Sequence, residues 1–139
     1  MKQTITIDHI GIASNSLDEG SRFWRLIGLT AKGEDDLVED QGVVTRFFPL
    51  GQVDHSETNI EILEPTGPDT PIGKFLGKRG PGIQQLCLAV DDLEAMIAHL
   101  IANGINMIDE TPRRGAHDSL IAFVHPKSTG GILIELKQR

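Results

Sequence analysis

The 139 residues, 39% hydrophobic and 24% charged, with 15 Gly, 7 Pro, five Phe, one Trp and no Tyr, suit one compact domain or two very small halves sharing a core. Those fractions exclude disordered and fibrous classes, and no apolar run approaches the roughly 20 residues that span a bilayer. Thirteen basic against 20 acidic residues give a net charge of −7, the wrong balance for duplex DNA, so neither nucleic acid nor a membrane is expected as a partner.

The charge is uneven. Residues 1–64 hold 5 basic and 12 acidic residues, whereas residues 65–139 hold 8 of each. The later half carries the clusters Lys74, Lys78, Arg79 and Arg113, Arg114, local basic groups that suit a small anionic ligand even on an acidic protein. The single cysteine, Cys87, cannot make an internal disulfide or a cysteine-based metal cage. With no basic-then-apolar leader at the start, it predicts a reducing, cytoplasmic setting.

In chain order, residues 4–13 alternate as a strand, with Ile5, Ile7 and His9 on one face and Ile10 and Ile12 on the other. Ser16 is a helix cap, the helix runs from Leu17 to Ile27, and Gly28 stops it. Phe23, Leu26 and Ile27, with Trp24 at the boundary, read as the stripe that covers the sheet. Strands are expected near 29–33, 43–50 and 58–64. Thr70 and Pro71 then read as the cap and first-turn proline of a short helix, Pro71 to Gly77. A strand through Gln85 to Ala89 follows, and Asp91 or Asp92 opens a second long helix with the face Leu93, Met96, Ile97, Leu100, closed by Gly104. Strands near 105–109, 119–125 and 131–137 complete the chain.

This order repeats itself. At an offset of 76, His9 to Ala13 meets Gln85 to Ala89, Leu17 meets Leu93, Gly28 meets Gly104 and Phe47 meets Phe123. At an offset of 74, Ile60-Glu61-Ile62 meets Ile134-Glu135-Leu136, the difference falling in the loops at 51–58 and 126–131. The chain reads as module 1, about 5–64, a Gly/Pro-rich connector 65–80 and module 2, about 81–137.

Alternation sorts the polar residues. If Ile10, Ile12, Ile60 and Ile62 lie under the first helix, His9 and Glu61 face away from it. By the same logic Leu86, Leu88, Ile134 and Leu136 are covered, and Gln85, Cys87 and Glu135 face away. Should the halves combine into one open barrel, His9, Glu61, Gln85 and Glu135 converge on its interior. An imidazole with carboxylate and amide oxygens suits a divalent Zn, Fe, Mn, Co or Ni ion rather than a soft metal. Asp8 and Gln84 are the neighbours placed to orient such ligands.

Several segments carry a family resemblance: Asp8-His9-Ile10-Gly11-Ile12-Ala13, the run Ile60 to Ile72 with its Glu-Pro-Thr-Gly-Pro-Asp-Thr-Pro, Phe75 to Gly80, and Ala122 to Leu136 with its His-Pro-Lys-Ser-Thr-Gly-Gly. Over nearly its whole length the sequence resembles the vicinal oxygen chelate superfamily and, within it, the methylmalonyl-CoA epimerase family. The resemblance implies an α+β fold of two repeated βαβββ modules forming an open, curved mixed sheet around a central metal cleft. It puts His9, Glu61 and Glu135 on the family's metal-ligand positions. The fourth position usually reads His-His, but here Gly82-Ile83 is followed by Gln84-Gln85, and the amide of Gln85 is a weaker donor than imidazole. Some members carry a glutamate after Gln-Gly-Val-Val, where this chain has Thr45, which cannot act as a base near neutral pH.

The implied chemistry is inversion at the carbon between a thioester and a carboxylate, through an enolate stabilised by a divalent ion. Glu135 then binds metal and serves as the catalytic acid–base residue. His117 and His125, in or beside the last loops, are conceivable helpers for which a structural or surface role is the better reading. Lys74, Lys78, Arg79, Arg113, Arg114 and Lys127 are candidates for the phosphates of an acyl-CoA. A homodimer is the family's usual assembly. Two other readings stay open: a glyoxalase-like isomerase or epimerase of another acyl-CoA, and a non-catalytic binding protein with an impaired metal site.

Overall fold

A computed structural model of the chain describes residues 2–51 and 58–139. The chain divides into two compact units, one being His9–Gln84 and the other Gln85–Arg139 with the N-terminal segment up to Asp8. The element order repeats strand, helix and three strands, an α+β architecture of two βαβββ runs.

The first run comprises β1 (Thr6–Ala13), α1 (Leu17–Leu26), β2 (Lys32–Val38), β3 (Val43–Pro49) and β4 (Asn59–Pro65). Its strands lie in the order β2-β3-β4-β1, with β1 parallel to β4 and the other neighbours antiparallel. Leu17, Phe48, Ile60 and Ile62 form the core under α1, with Ile10, Ile12, Trp24 and Val44 packed against them. The connector forms α2 (Pro71–Arg79), capped by the Thr70 hydroxyl, which accepts from Gly73 N at 3.1 Å.

The second run comprises β5 (Gly82–Val90), α3 (Leu93–Ala102), β6 (Arg113–Arg114), β7 (Leu120–Val124) and β8 (Ile134–Gln138), in the order β5-β8-β7-β6. Again the first and last strands are parallel and the rest antiparallel. The expected α3 face is the observed one: Leu93, Met96 and Ile97 join Val90, Ala122, Val124 and Leu136 in the core, with Leu100 against them.

Three expectations are corrected. The stripe of α1 is not Phe23, Leu26 and Ile27, which are exposed, but Leu17 and Ser21 with half-buried Trp24. Gly20 explains the choice: a Cβ there would lie 2.6 Å from Ile62 Cγ2 and 2.8 Å from Ser14 Cβ, so the helix sits too close to the sheet for bulk on that side. The strand expected at 29–33 falls at β2 instead, because this edge strand is charged and mostly exposed and shows no alternation. The strand expected at 105–109 reduces to a bridge from Met107 to Val124. There the Asp109 carboxylate accepts from Phe123 N at 2.9 Å, so a side chain takes the place of the next ladder bond. The loop at 51–58 lies mostly outside the described residues.

A capping device recurs with the repeat. Ser16 and Asp92 cap α1 and α3 by accepting from Glu19 N and Ala95 N. In addition, Glu64 Oε1 accepts from Leu17 N at 2.9 Å, and Gln138 Oε1 from Leu93 N at 2.8 Å. A side chain of the last strand thus fixes the first turn of the helix in both runs, satisfying an amide that the helix cannot.

Under α1, Arg46 of β3 is clamped by Asp35 through Nε and Nη2, each at 2.8 Å, and donates from Nη1 to Asp18 and Ser21. The Arg46 hydrogen bond holds the Asp35 carboxyl below the usual carboxylate range. The stability this lowered pKa contributes is present above the unfolded value, about 4, and is lost as pH falls through the folded one. Asp35→Asn is therefore expected to destabilise at neutral pH, with its gap to the parent protein narrowing below about pH 4 in denaturant titrations. Gly20→Ala is expected to destabilise by about 1–3 kcal/mol, the overlap with Ile62 and Ser14 outweighing the better helix propensity of alanine. Urea unfolding checks it, and an unchanged midpoint would mean that α1 shifts freely.

Candidate functional site

In the unit His9–Gln84, packing of Ile10, Ile12, Ile60 and Ile62 under α1 turns His9 and Glu61 to the opposite face of the sheet. Register then brings them together. Glu61 lies across from Gly11 on β1 and from Phe47 on β3. Because the residue beside Glu61 is a glycine, the diagonal neighbour His9 reaches it: His9 Nε2 lies 2.6 Å from Glu61 Oε2. Both side chains are buried, and the His9 ring meets Phe47 edge-on at 5.9 Å.

The unit containing Gln85–Arg139 repeats the arrangement. Glu135 lies across from Cys87 on β5 and from Phe123 on β7. Gln85, two residues before Cys87, donates from Nε2 to Glu135 Oε1 at 2.7 Å. Gln85 and Glu135 are buried, and Cys87 has no exposed surface. Each unit therefore holds one nitrogen-bearing side chain and one carboxylate in contact on the face away from its helix. His9 pairs with Glu61, and Gln85 with Glu135. The donor chemistry fits a divalent ion: imidazole with carboxylate in one unit is a transition-metal set, and amide with carboxylate in the other is a weaker one.

Thr45 is buried on the Phe47 side of β3, and its hydroxyl lies 3.4 Å from the Asp36 carbonyl. Asp8 is paired with Lys137, Nζ to Oδ1 at 3.1 Å. Gln84 Oε1 is buried without a hydrogen-bond partner among the described residues. His125 caps the turn after β7, Nδ1 accepting from Lys127 N at 3.1 Å. His117 is exposed in a left-handed backbone conformation.

The basic candidates fall in separate places. Lys74, Lys78 and Arg79 are exposed on α2, with the Arg79 guanidinium 5.8 Å from the Phe75 ring centre. Arg113 and Arg114 of β6 pair locally with Asp109 and Asp118, at 3.4 and 3.3 Å. Lys127 is exposed in the turn before β8. The sequence reading missed Phe47 and Phe123 as the cross-strand neighbours of the two glutamates. Their equivalence at the same offset as His9 and Gln85 was the available signal.

Comparison with known proteins places this geometry. A family model described as Glyoxalase/Bleomycin resistance protein/Dioxygenase superfamily matches residues 8–123. A mitochondrial methylmalonyl-CoA epimerase of Dictyostelium discoideum is 36% identical over 135 residues, covering 96% of this chain and 78% of that protein. An ethylmalonyl-CoA/methylmalonyl-CoA epimerase of Cereibacter sphaeroides is 32% identical, covering 95% of this chain and 96% of that protein. Among solved structures, a Streptomyces coelicolor methylmalonyl-CoA epimerase variant in complex with 2-nitronate-propionyl-CoA superposes with a TM-score of 0.91 at 34% identity, covering 99% of this chain and 95% of that one.

Proposed function

The chain belongs to the Glyoxalase/Bleomycin resistance protein/Dioxygenase superfamily, and from that premise we propose that it is an isomerase that epimerises methylmalonyl-CoA. The observation that carries the reading is the near full-length likeness to methylmalonyl-CoA epimerases, and the buried pairs His9–Glu61 and Gln85–Glu135 support it. His9 with Glu61 in one unit, and Gln85 with Glu135 in the other, are the donors a divalent ion would use. Such an ion supplies Lewis-acid stabilisation of the charge that develops on the thioester oxygen.

The chain's own residues do the rest. Glu135 takes the α-proton: it is a carboxylate held in one orientation by the Gln85 amide, and amide donation leaves its charge in place. Burial keeps bulk water from each pair and strengthens its electrostatic effect. Lys74, Lys78, Arg79, Arg113, Arg114 and Lys127 are the cations available to the CoA phosphates. The exposed apolar residues Phe23 and Leu26 of α1, with Ile27 just after it, would supply a surface for a homodimer. Among the described residues no helix is long and apolar enough to cross a membrane. A cytoplasmic setting fits the buried single thiol of Cys87.

Purified, metal-loaded protein in deuterated water is expected to exchange the α-hydrogen of methylmalonyl-CoA above a free-metal control, read by mass spectrometry. No exchange with Mn, Co or Ni overturns the reading. Gln85 presents its nitrogen to Glu135, and its amide oxygen is a weaker donor to a transition metal than an imidazole nitrogen. Gln85→His is accordingly expected to tighten divalent-metal affinity by roughly tenfold in calorimetry, with the fold unchanged by circular dichroism. Unaltered affinity would remove position 85 from the ligand set.

A further inference from the structure

Methylmalonyl-CoA carries a thioester and a free carboxylate, and only the carboxylate distinguishes it from the simple thioester propionyl-CoA. A cation beside the reacting face is a direct way to recognise that group. We propose that Lys137 of β8 is this cation: its ammonium, steadied by Asp8, anchors the free carboxylate and selects malonyl-type thioesters over simple ones. The inference rests on the epimerase reading above. It uses only residues of the unit that holds Glu135, to which both Asp8 and Lys137 belong.

Three observations carry it. The first is that Lys137 shares a sheet face with Glu135. The two are alternate residues of β8, with Cα atoms about 6–7 Å apart along the strand. The pairing of β8 runs without a break through both positions. Glu135 lies across from Cys87 and Lys137 across from Ala89 on β5, while Phe123 and Ile121 take the same two places on β7. The residue between them, Leu136, is buried in the core under α3 on the opposite face.

The second is where the ammonium is held. Lys137 Nζ donates to Asp8 Oδ1 at 3.1 Å, and a carboxylate oxygen of Asp8 lies within 4.8 Å of Cys87 Sγ. Cys87 is the residue directly across from Glu135, so the ion pair sits beside the strand position that flanks the glutamate. The Lys137 and Asp8 side chains keep 29% and 17% exposure, so the pair is open to a ligand without being a freely solvated surface contact. An ammonium has three donors, and the bond to Asp8 uses one of them.

The third comes from the repeat. At the offset of 74 that relates Glu61 to Glu135, Lys137 meets Leu63, which is buried. Their cross-strand neighbours correspond as well: Leu63 lies across from Thr45 and Lys137 across from Ile121, residues related by the offset of 76. One place in the same local ladder is therefore apolar in one unit and cationic in the other. A partly buried lysine there carries a desolvation cost that leucine does not. Binding an anion beside Glu135 gives that charge a use.

The test compares the affinity of the metal-loaded protein for methylmalonyl-CoA and for propionyl-CoA, which lacks only the carboxylate, by calorimetry. The parent protein is expected to prefer methylmalonyl-CoA by about tenfold or more. Lys137→Met is expected to reduce that preference by about tenfold, to leave propionyl-CoA affinity within about twofold, and to raise KM for methylmalonyl-CoA more than it lowers kcat. Lys137→Arg, which keeps the charge, is expected to retain most of the preference. Should the methionine variant fail to fold, Lys137→Gln carries the same criteria. An unchanged preference in the methionine or glutamine variant overturns the assignment, and so does a parent protein that binds both thioesters alike. An equal loss of affinity for both thioesters also overturns it, because that is what a purely structural tether between Asp8 and β8 would give. A parent protein that does not exchange the α-hydrogen of methylmalonyl-CoA overturns the epimerase reading itself, whichever thioester it prefers, which separates the two failures.

Discussion

The constraint on which the site depends is strand register. Glu61 is held between Gly11 and Phe47, and Glu135 between Cys87 and Phe123, because the alternate residues Ile60, Ile62, Ile134 and Leu136 are buried or half-buried on the opposite face. A slip of one residue in β4 would send Glu61 under α1 and bring Ile60 and Ile62 to the polar face. It would strand a carboxylate in the apolar core, at a cost of several kcal/mol. The buried apolar set of each sheet therefore specifies its polar set.

Fixing the helices reinforces that register. Both long helices begin with a leucine amide donating to the last strand of the same run, Leu17 to Glu64 and Leu93 to Gln138. Each such bond ties a helix terminus to the strand that carries the glutamate three residues earlier, so helix position and carboxylate position are not independent. In the unit containing Gln85–Arg139 the same end is tied further. Arg139 donates to Asp91, Thr4, Thr6 and Ala89, and Gln138 Nε2 donates to Asp91 O. Individually exposed bonds of this kind contribute little, but here several converge on one helix start.

Much of this was legible in the sequence. The repeat, the caps Ser16, Thr70 and Asp92, the face of α3 and the pairing of polar residues opposite buried isoleucines all follow from periodicities that a string of residues displays. What was not legible had non-periodic causes. The covering face of α1 is set by the absence of a Cβ at Gly20, which a hydrophobicity pattern ranks below Phe23 and Leu26. The edge strand β2 is held by its neighbour and by the Asp35–Arg46 clamp rather than by burial, so its charged residues read as loop. At 105–109 both Ile108 N and Asp109 N donate to Phe123 O while the Asp109 carboxylate takes Phe123 N, an irregular pairing that propensity alone does not resolve.

The two halves of the repeat have diverged in one chemically decisive way. His9 and Glu61 are a pair in which a proton can be shared or exchanged, whereas Gln85 and Glu135 are a pair in which it cannot, since a carboxamide neither gains nor loses a proton near neutral pH. The amide can only donate or accept a hydrogen bond. With Nε2 turned to Glu135 it fixes that carboxylate without competing for its proton. An imidazole in its place would be the better metal donor. Histidine in one half and glutamine at the equivalent position of the other therefore give the two buried carboxylates different partners, one that can take up a proton and one that cannot.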